Sequence, residues 1–308
     1  RKQCLMKKLL PLIIICLFLF CSCSKTEEIN GFNMDSPYSV KLNGMTSLQK
    51  KEIRTALSNS DKLFNAYKKS ELYTLNEEKH ISKTEENKDL FAVIEQSLPY
   101  CGEFFDISVR PYTSLWDFSS DSPVPPTDAE LTEAKKSVGY ENIVINDNEI
   151  TLLNNAQIEL GAVAKGYMCD RVYEIADNCT GIIDIGGTIK SKINRKASVG
   201  VKNPNGGFFC TVFIEKGESV STSGSYERNF TYNGETYCHI LNPKTGKSVR
   251  NGLLSVTVIS DSALKSDILS TSYFVSGIEN AKIPNDITVI FVTENGGITV
   301  LGKEREIR

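Results

Sequence analysis

Short apolar runs alternate with glycine- and proline-containing turns across residues 181–234, and this pattern restricts the fold more than any other feature of the chain. Apolar runs of this length are typical of β-strands, and short turns of glycine and polar residues join neighbouring strands in antiparallel order. A similar pair of runs at residues 143–152 surrounds the turn Asn146-Asp147-Asn148, which predicts a further hairpin. The chain is therefore expected to contain antiparallel sheets.

Helical spacing of apolar residues occurs in three other segments, residues 47–64, 164–176 and 262–276. In the first of these, Leu48 and Leu57 are expected on related faces that pack into the core. Helices that accompany groups of antiparallel strands are typical of the α+β class, in which the helices pack on the sheets. No internal repeat and no break divides residues 33–308, so we predict a single domain there.

Residues 219–249 hold the strongest candidate site in the sequence. A Ser/Thr/Gly turn is followed by a hairpin with Asn233-Gly234 at its tip, and the second strand ends just before His239. A polar loop with proline and glycine follows at residues 242–246. Loops of hydroxyls, amides and glycines held by strands are suited to oxygen-rich anionic ligands. The alternative is a hairpin that carries a surface histidine.

The amino-terminal residues have the pattern of a secretion signal. Met6-Lys7-Lys8 precedes an uncharged apolar run over residues 9–20, which is too short to span a membrane comfortably. We therefore expect Met6 to be the true first residue and residues 1–22 to be a signal peptide.

The apolar run ends at Phe20-Cys21-Ser22-Cys23, which resembles a bacterial lipobox. This resemblance predicts lipidation of Cys23, with residues 23–32 as a polar tether. The protein would then be a membrane-anchored lipoprotein of the bacterial cell envelope, either periplasmic or on the outer face of the cytoplasmic membrane. Ordinary cleavage nearby, which would leave Cys23 as a free thiol, is the alternative.

Composition argues against one class of function, nucleic-acid binding. The chain has 308 residues, of which 40% are hydrophobic and 24% charged, as is ordinary for globular proteins. Removal of residues 1–22 would take away four basic side chains and no acidic ones, so the net charge would change from −3 to −7. Without a basic stripe, nucleic acid is not an expected partner.

The cysteines beyond the predicted signal peptide and lipidation site argue against a zinc site because none has C-x-x-C spacing. Their number is odd, so at least one would stay unpaired if the others formed disulfides within the chain. These residues are Cys101, Cys169, Cys179, Cys210 and Cys238.

Asp267 and Thr271 form a candidate cation site. They are four residues apart in the predicted helix at 262–276, so they project from one face. A carboxylate and a hydroxyl, with a nearby backbone carbonyl, form a set of hard oxygen ligands that suits Mg²⁺. The spacing also allows a second interpretation, in which Asp267 caps the helix and Thr271 packs against it.

Six short motifs occur in a fixed order along the chain. They are F-D-I-S-V with L-W-D-F (residues 105–118), E-L-G-A-V-A-K-G-Y with Asp170 (159–170), I-G-G (185–187), G-V-K-N-P (200–204), S-T-S-G-S-Y-E-R with H-I-L-N-P-K-T-G (221–246), and S-D-I-L-S-T (266–271). Together they resemble the signature of the FAD:protein FMN transferases, the ApbE family. The resemblance extends over residues 33–302, so it covers most of the chain.

This resemblance implies the ApbE fold, one compact unit with a central FAD-binding cleft. It also implies Mg²⁺-dependent transfer of the FMN part of FAD to a threonine hydroxyl of an acceptor protein, with release of AMP. Acceptors are expected to carry a segment that resembles Asp-x-x-x-Ser/Gly/Ala-x-Thr. The resemblance assigns Glu159 and Lys165 to contacts with FAD. It assigns Asp267, Thr271 and the backbone carbonyl of Ala162 to Mg²⁺.

Three further residues are assigned less directly. Met34 is expected to pack against the flavin or the adenine, and Trp116 to help build the wall of the nucleotide pocket; a core position is the alternative for each. His239 is a candidate base for the threonine proton, because its unperturbed pKa lies near the operating pH. Alternatively, His239 only holds a phosphate or a ribose.

Several positions depart from the usual residues of the family. Glu159 stands where the family has Asp, Thr188 where Asp or Asn is frequent, Ser225 and Asn242 where Asp is common, and Cys238 where a second His is common. The metal pair and His239 are retained, so we expect the same chemistry. Two other functions stay open: a Mg²⁺-dependent FAD pyrophosphatase that yields FMN and AMP, and a non-enzymatic FAD-binding lipoprotein.

Overall fold

The computed structural model describes residues 26–308, so the predicted signal peptide and Cys23 lie outside the described part of the chain. The strands are β1 (Glu27–Asn33), β2 (Ser36–Asn43), β3 (His80–Ser82), β4 (Ile143–Ile145), β5 (Glu149–Leu152), β6 (Thr180–Ile185), β7 (Thr188–Ser191), β8 (Ala197–Lys202), β9 (Phe208–Ile214), β10 (Ser219–Gly224), β11 (Asn229–Tyr232), β12 (Glu235–Cys238), β13 (Leu253–Ser260), β14 (Thr288–Thr293) and β15 (Ile298–Gly302). The helices are α1 (Ser47–Phe64), α2 (Glu71–Glu78), α3 (Lys88–Ser97), α4 (Arg110–Trp116), α5 (Asp128–Ala134), α6 (Ala164–Ile175) and α7 (Ala263–Asn280).

Eight strands form the main sheet in the order β1-β2-β6-β7-β10-β13-β14-β15, and every neighbouring pair is antiparallel. A small sheet has the order β3-β5-β4, and the pairs β8-β9 and β11-β12 form two-stranded hairpins. The hairpins predicted at residues 143–152 and around Asn233-Gly234 are both present. The expected α+β class, with helices on largely antiparallel sheets, is therefore confirmed.

Strand β13 is the sixth of the eight strands in the main sheet, and seven of its eight residues are buried. Helix α7 packs against β10 and β13 of this sheet and also against α6. Its backbone leaves helical geometry at Gly277, where φ is 71°. These contacts place the first half of α7 beside β10, and this arrangement positions the site described below.

Two expectations about the amino-terminal region are wrong. Residues 27–32 are not part of a tether, because they belong to β1 and pair with β2 over its length. Leu48 is 63% exposed, whereas Leu57 is fully buried. The reason is geometric: nine residues are two and a half turns of an α-helix, so the two side chains lie on opposite faces.

The five cysteines of the described chain are all free thiols, and four of them are buried. Burial raises the pKa of the Cys101, Cys169, Cys179 and Cys210 thiols, so these groups are poor nucleophiles at neutral pH. Within residues 26–308, no helix combines the length and the apolar character that crossing a membrane requires.

Candidate functional site

A cavity of about 840 Å³ opens between the β1–β2 turn, β10, the first turn of α6 and the loop that follows β12. This volume falls within the range of roughly 300–1,000 Å³ that is usual for small-molecule and cofactor sites. All but one of the described residues assigned to a site from the sequence line this cavity: Met34, Glu159, Ala162, Lys165, His239, Asp267 and Thr271. Residues that are up to 237 positions apart along the chain are thus brought together by the fold.

Asp267 projects from α7 into the cavity, yet it is only 5% exposed. Its Oδ2 accepts a hydrogen bond from the backbone N–H of Gly166 at 2.9 Å. Its Oδ1 accepts from the hydroxyls of Ser221 at 2.7 Å and Thr188 at 3.3 Å. Within residues 26–308 the carboxylate forms no ion pair. A buried carboxylate without a cationic partner is costly, so a cavity that presents one favours a positively charged ligand.

Thr271 lies one turn after Asp267 and faces the same cavity, as the four-residue spacing predicted. Its hydroxyl lies 2.9 Å from the hydroxyl of Ser223 on β10. The alternative in which Asp267 caps its helix does not hold, since the N-cap of α7 is Ser262. Alternate residues of β10, Ser221 and Ser223, therefore support the acid and the hydroxyl of the predicted metal pair.

His239 follows β12 directly and is half-buried at the cavity wall. Its Nδ1 lies 3.2 Å from the backbone carbonyl of Arg228, which also accepts the backbone N–H of His239 at 3.0 Å. Because a carbonyl only accepts, Nδ1 carries the proton and Nε2 is left free to accept one. Loss of hydration lowers the pKa of His239 to about 4, and the charges of Arg228 and Lys165 act in the same direction.

Glu159 is enclosed by two residues that the sequence analysis missed. The guanidinium of Arg110 stacks 3.8 Å from the ring centre of Tyr67, with Nη1 3.9 Å from Glu159 Oε2. Burial raises the pKa of Glu159, although the charge of Arg110 opposes this. Burial, with the charge of Glu159, also raises the pKa of Tyr67 to about 12. Tyr67 and Glu159 both line the cavity and offer it an aromatic ring and an acid.

Lys165 lies at the start of α6 and is half-buried at the cavity, where its Nζ donates to the backbone carbonyl of Gly161 at 3.0 Å. Gly186, in the turn between β6 and β7, has a φ of 59° and approaches the lysine closely. A Cβ at this position would lie 2.6 Å from Cδ of Lys165. The glycine turn thus leaves room for the side chain of Lys165, which was predicted to contact FAD.

Trp116 is the exception among the predicted residues, since it does not line the cavity. It is 3% exposed, its Nε1 donates to the carbonyl of Gly246 at 2.7 Å, and its ring stacks on Phe118 at 5.7 Å. Phe118 does line the cavity. The core alternative for Trp116 therefore fits the structure, and the wall that Trp116 was expected to form is formed by Phe118.

Met34 and Asp35 form the β1–β2 turn, with φ values of 51° and 53°, and both line the cavity. The backbone N–H of Met34 donates to Asp61 at 2.8 Å, which fixes the turn against α1. Asp35 lies 3.3 Å from the guanidinium of Arg228 on the opposite wall. The apolar Met34 side chain is thus presented to the cavity from a well-supported turn.

The fold and the cavity define an α+β protein with a polar cavity that is lined by an acid, several hydroxyls, an ammonium and a neutral histidine. The chain belongs to the ApbE family, whose pattern matches residues 34–287. The predicted family is therefore confirmed.

Relatives with a known name or structure agree with this assignment. The FAD:protein FMN transferase of Vibrio cholerae serotype O1 is 27% identical over 306 residues, which cover 90% of this chain and 91% of the relative. That of Haemophilus influenzae is 27% identical over 332 residues, 96% of each chain. The crystal structure of the ApbE protein from Thermotoga maritima superimposes with a TM-score of 0.78 at 27% identity and covers 92% of this chain and 97% of that one.

Proposed function

We propose that this chain is an FAD:protein FMN transferase, which moves the FMN part of FAD to a threonine hydroxyl of an acceptor protein and releases AMP. The observation that carries the proposal is the convergence of Lys165, His239, Asp267 and Thr271 on one cavity of about 840 Å³. The names of the relatives support the same reaction.

The oxygen donors of the cavity fit Mg²⁺. Asp267 supplies a carboxylate that has no ionic partner within residues 26–308, and Thr271 supplies a hydroxyl. Ala162, whose backbone carbonyl is the third predicted ligand, also lines the cavity. Within residues 26–308, no group of three His, Cys, Asp or Glu residues could hold a metal alone. This donor set suits Mg²⁺, which commonly binds through one or two carboxylates together with substrate phosphates and water. When bound, Mg²⁺ would neutralise charge on the diphosphate.

The chain's own residues would perform the rest of the chemistry. Lys165 would hold a diphosphate oxygen at the start of α6, where helix N–H groups also favour anions. Nε2 of His239 would accept the threonine proton as the threonine oxygen bonds to the phosphorus on the FMN side. The bond from that phosphorus to the bridging oxygen breaks, and AMP leaves with the electron pair. Positioning and charge stabilisation are the main sources of rate in phosphoryl transfer.

The proposal is tested by mixing the protein, FAD and Mg²⁺ with an acceptor that carries the Asp-x-x-x-Ser/Gly/Ala-x-Thr segment. We expect a fluorescent band that survives denaturation, a mass increase of one FMN phosphoester, and one AMP per label. An acceptor with alanine in place of the threonine is the control and should stay unlabelled.

Two outcomes would replace the proposal. AMP release at the same rate with and without acceptor, and no label, would make water the nucleophile and the protein an FAD pyrophosphatase. Tight FAD binding without AMP or label across several acceptors would make it an FAD-binding protein.

We further propose that Cys23 carries the lipid that anchors the protein in the cell envelope. Since β1 already begins at Glu27, the tether is shorter than the sequence indicated. Four residues span at most about 14 Å, so β1 would begin close to the lipid surface. The β1–β2 turn lines the cavity, so acceptors that are held near the same membrane would be favoured.

Replacement of Cys23 by serine is expected to move the full-length protein from the membrane fraction to the soluble fraction, because the acyl chains would be lost. Cell fractionation and intact-protein mass spectrometry measure this. A wild-type protein that is soluble and carries no acyl mass would contradict the anchor, while AMP release from FAD should be equal in both proteins.

A further inference from the structure

Asp170, the last residue of the motif at 159–170, does not line the cavity, yet its carboxylate accepts four hydrogen bonds. Oδ1 accepts from Lys190 Nζ at 2.7 Å and from the backbone N–H of Ala263 at 2.9 Å. Oδ2 accepts from the Ser262 hydroxyl at 2.7 Å and the backbone N–H of Leu264 at 3.0 Å. Asp170 belongs to α6, whereas three of these donors form the start of α7. A side chain of one helix thus holds the first turn of the other.

Gly166 provides a second contact between the same two helices. It lies one turn before Asp170 and on the same face of α6. A Cβ on Gly166 would lie 2.5 Å from the carbonyl oxygen of Ala263, so only glycine allows the helices to approach this closely. Its backbone N–H donates to Asp267 Oδ2 at 2.9 Å. The separation of α6 and α7 therefore determines where the Asp267 carboxylate lies.

The three predicted metal ligands come from the two sides of this helix contact. Ala162 lies two residues before the start of α6, whereas Asp267 and Thr271 belong to α7. A displacement of α7 along or away from α6 would change the separation of the Ala162 carbonyl and the Asp267 carboxylate. Residues behind metal ligands commonly set the affinity of a site in this way.

We propose that Asp170 is a positioning residue for the cation site: it fixes the start of α7 against α6 and so brings Asp267 to the carbonyl of Ala162. This inference rests on the proposed function, because it takes Asp267 and Ala162 to be cation ligands. It assigns Asp170 no contact with FAD, with the cation or with the acceptor.

The design of the test depends on Lys190, which is 5% exposed and lies 4.8 Å from the ring centre of Tyr173. Loss of Asp170 alone would leave this buried ammonium without its carboxylate, and such losses destabilise proteins strongly. The double substitution Asp170→Asn with Lys190→Met removes both charges and keeps similar volumes. It still replaces one of the two oxygens that accept hydrogen bonds from the first turn of α7 with an amide donor, so it separates the positioning role from the burial of a charge.

The experiment titrates Mn²⁺ alone into the wild type, Asp170→Asn and the double variant, and follows free Mn²⁺ by electron paramagnetic resonance. We expect the Mn²⁺ affinity of both variants to fall by about 10- to 100-fold, as is usual when supporting residues of a metal site are changed. The affinity for FAD without metal, measured by flavin fluorescence, should stay the same. Saturating Mn²⁺ should restore most of the rate of AMP release. Glu174 is an exposed acid one turn further along α6, so Glu174→Gln is the matched control and should behave as wild type.

Gly166→Ala tests the same helix contact without changing a charge, and it decides the question if the Asp170 variants do not fold. We expect it to lower Mn²⁺ affinity, whereas Gly102→Ala should not, because a Cβ at Gly102 meets nothing within 4 Å. A folded double variant or Gly166→Ala protein with wild-type Mn²⁺ affinity would overturn the inference, and so would an equal loss of metal-free FAD affinity. If the wild type itself binds no Mn²⁺, the cation site of the proposed function fails first, which is a different result.

Discussion

Asp267→Ala is expected to lower the rate of AMP release from FAD by about 10²- to 10³-fold, the size of effect found when one preorganised charge-stabilising group is removed. The carboxylate is the only charged member of the predicted ligand set, so its loss removes the main attraction for the cation. It also leaves the N–H of Gly166 and the hydroxyls of Ser221 and Thr188 without their acceptor. We expect this to lower the free energy of unfolding by roughly 1–3 kcal/mol, which the fold should tolerate.

Thr271→Ala is the matched control for this prediction, because it changes the same face of α7 by the loss of a neutral ligand. Water can replace a hydroxyl, so the fall in rate should be clearly smaller than for Asp267→Ala. AMP release measured over a range of Mg²⁺ concentrations, together with thermal unfolding, distinguishes the two variants. Wild-type activity in Asp267→Ala, or in the wild type with excess chelator, would falsify the Mg²⁺ mechanism.

The sequence predicted the α+β class, the three longest helices and two hairpins because the local signals there were strong. The helix at 262–276 is part of α7 (Ala263–Asn280), and Gly277 marks the kink near its end. The prediction of a tether was wrong because β1 is polar and lies at the edge of the sheet, so its sequence shows no regular alternation of buried and exposed residues. Its strand conformation comes from pairing with β2, which a local reading of composition does not detect.

Residues of the site could be predicted from the sequence only where they belong to a recognisable motif. Asp267, Thr271, Lys165 and His239 all line the cavity, as their motifs indicated. The supporting contacts were missed because they connect distant segments: Ser221 lies 46 residues from Asp267 in the chain.

Other site contacts were missed for related reasons. Tyr67 precedes a helix without belonging to any periodic pattern, and its partner Arg110 begins a different helix, so neither pointed to Glu159. Trp116 was misplaced because a buried aromatic and a cavity-lining one have the same sequence signal. In the structure, Phe118 takes the position at the cavity.

His239→Ala is expected to slow labelling of the acceptor by about 10²- to 10⁴-fold if Nε2 is the base, while FAD still binds. The hydrogen bond from Nδ1 to the carbonyl of Arg228 leaves Nε2 unprotonated, as a base requires. Single-turnover labelling and flavin fluorescence measure rate and affinity separately. Loss of FAD affinity with an unchanged rate at saturation would make His239 a ligand contact and not the base.

The dependence of the rate on pH gives an independent test of the same residue. Because the pKa of His239 is lowered to about 4, the imidazole stays neutral and competent as the pH falls from 7 to 5. Protonation below that range removes the base, so kcat/KM, which reports the free enzyme, should decline around pH 4 rather than near the ordinary histidine value of about 6.5.

His239→Gln, which keeps a similar volume but has no titrating group, should lose this acidic decline along with most of the rate. Arg228→Gln removes a positive charge that lowers the pKa of His239, so the decline should move to higher pH. A decline near pH 6.5 in the wild type, or an unchanged decline in His239→Gln, would show that another group accepts the threonine proton.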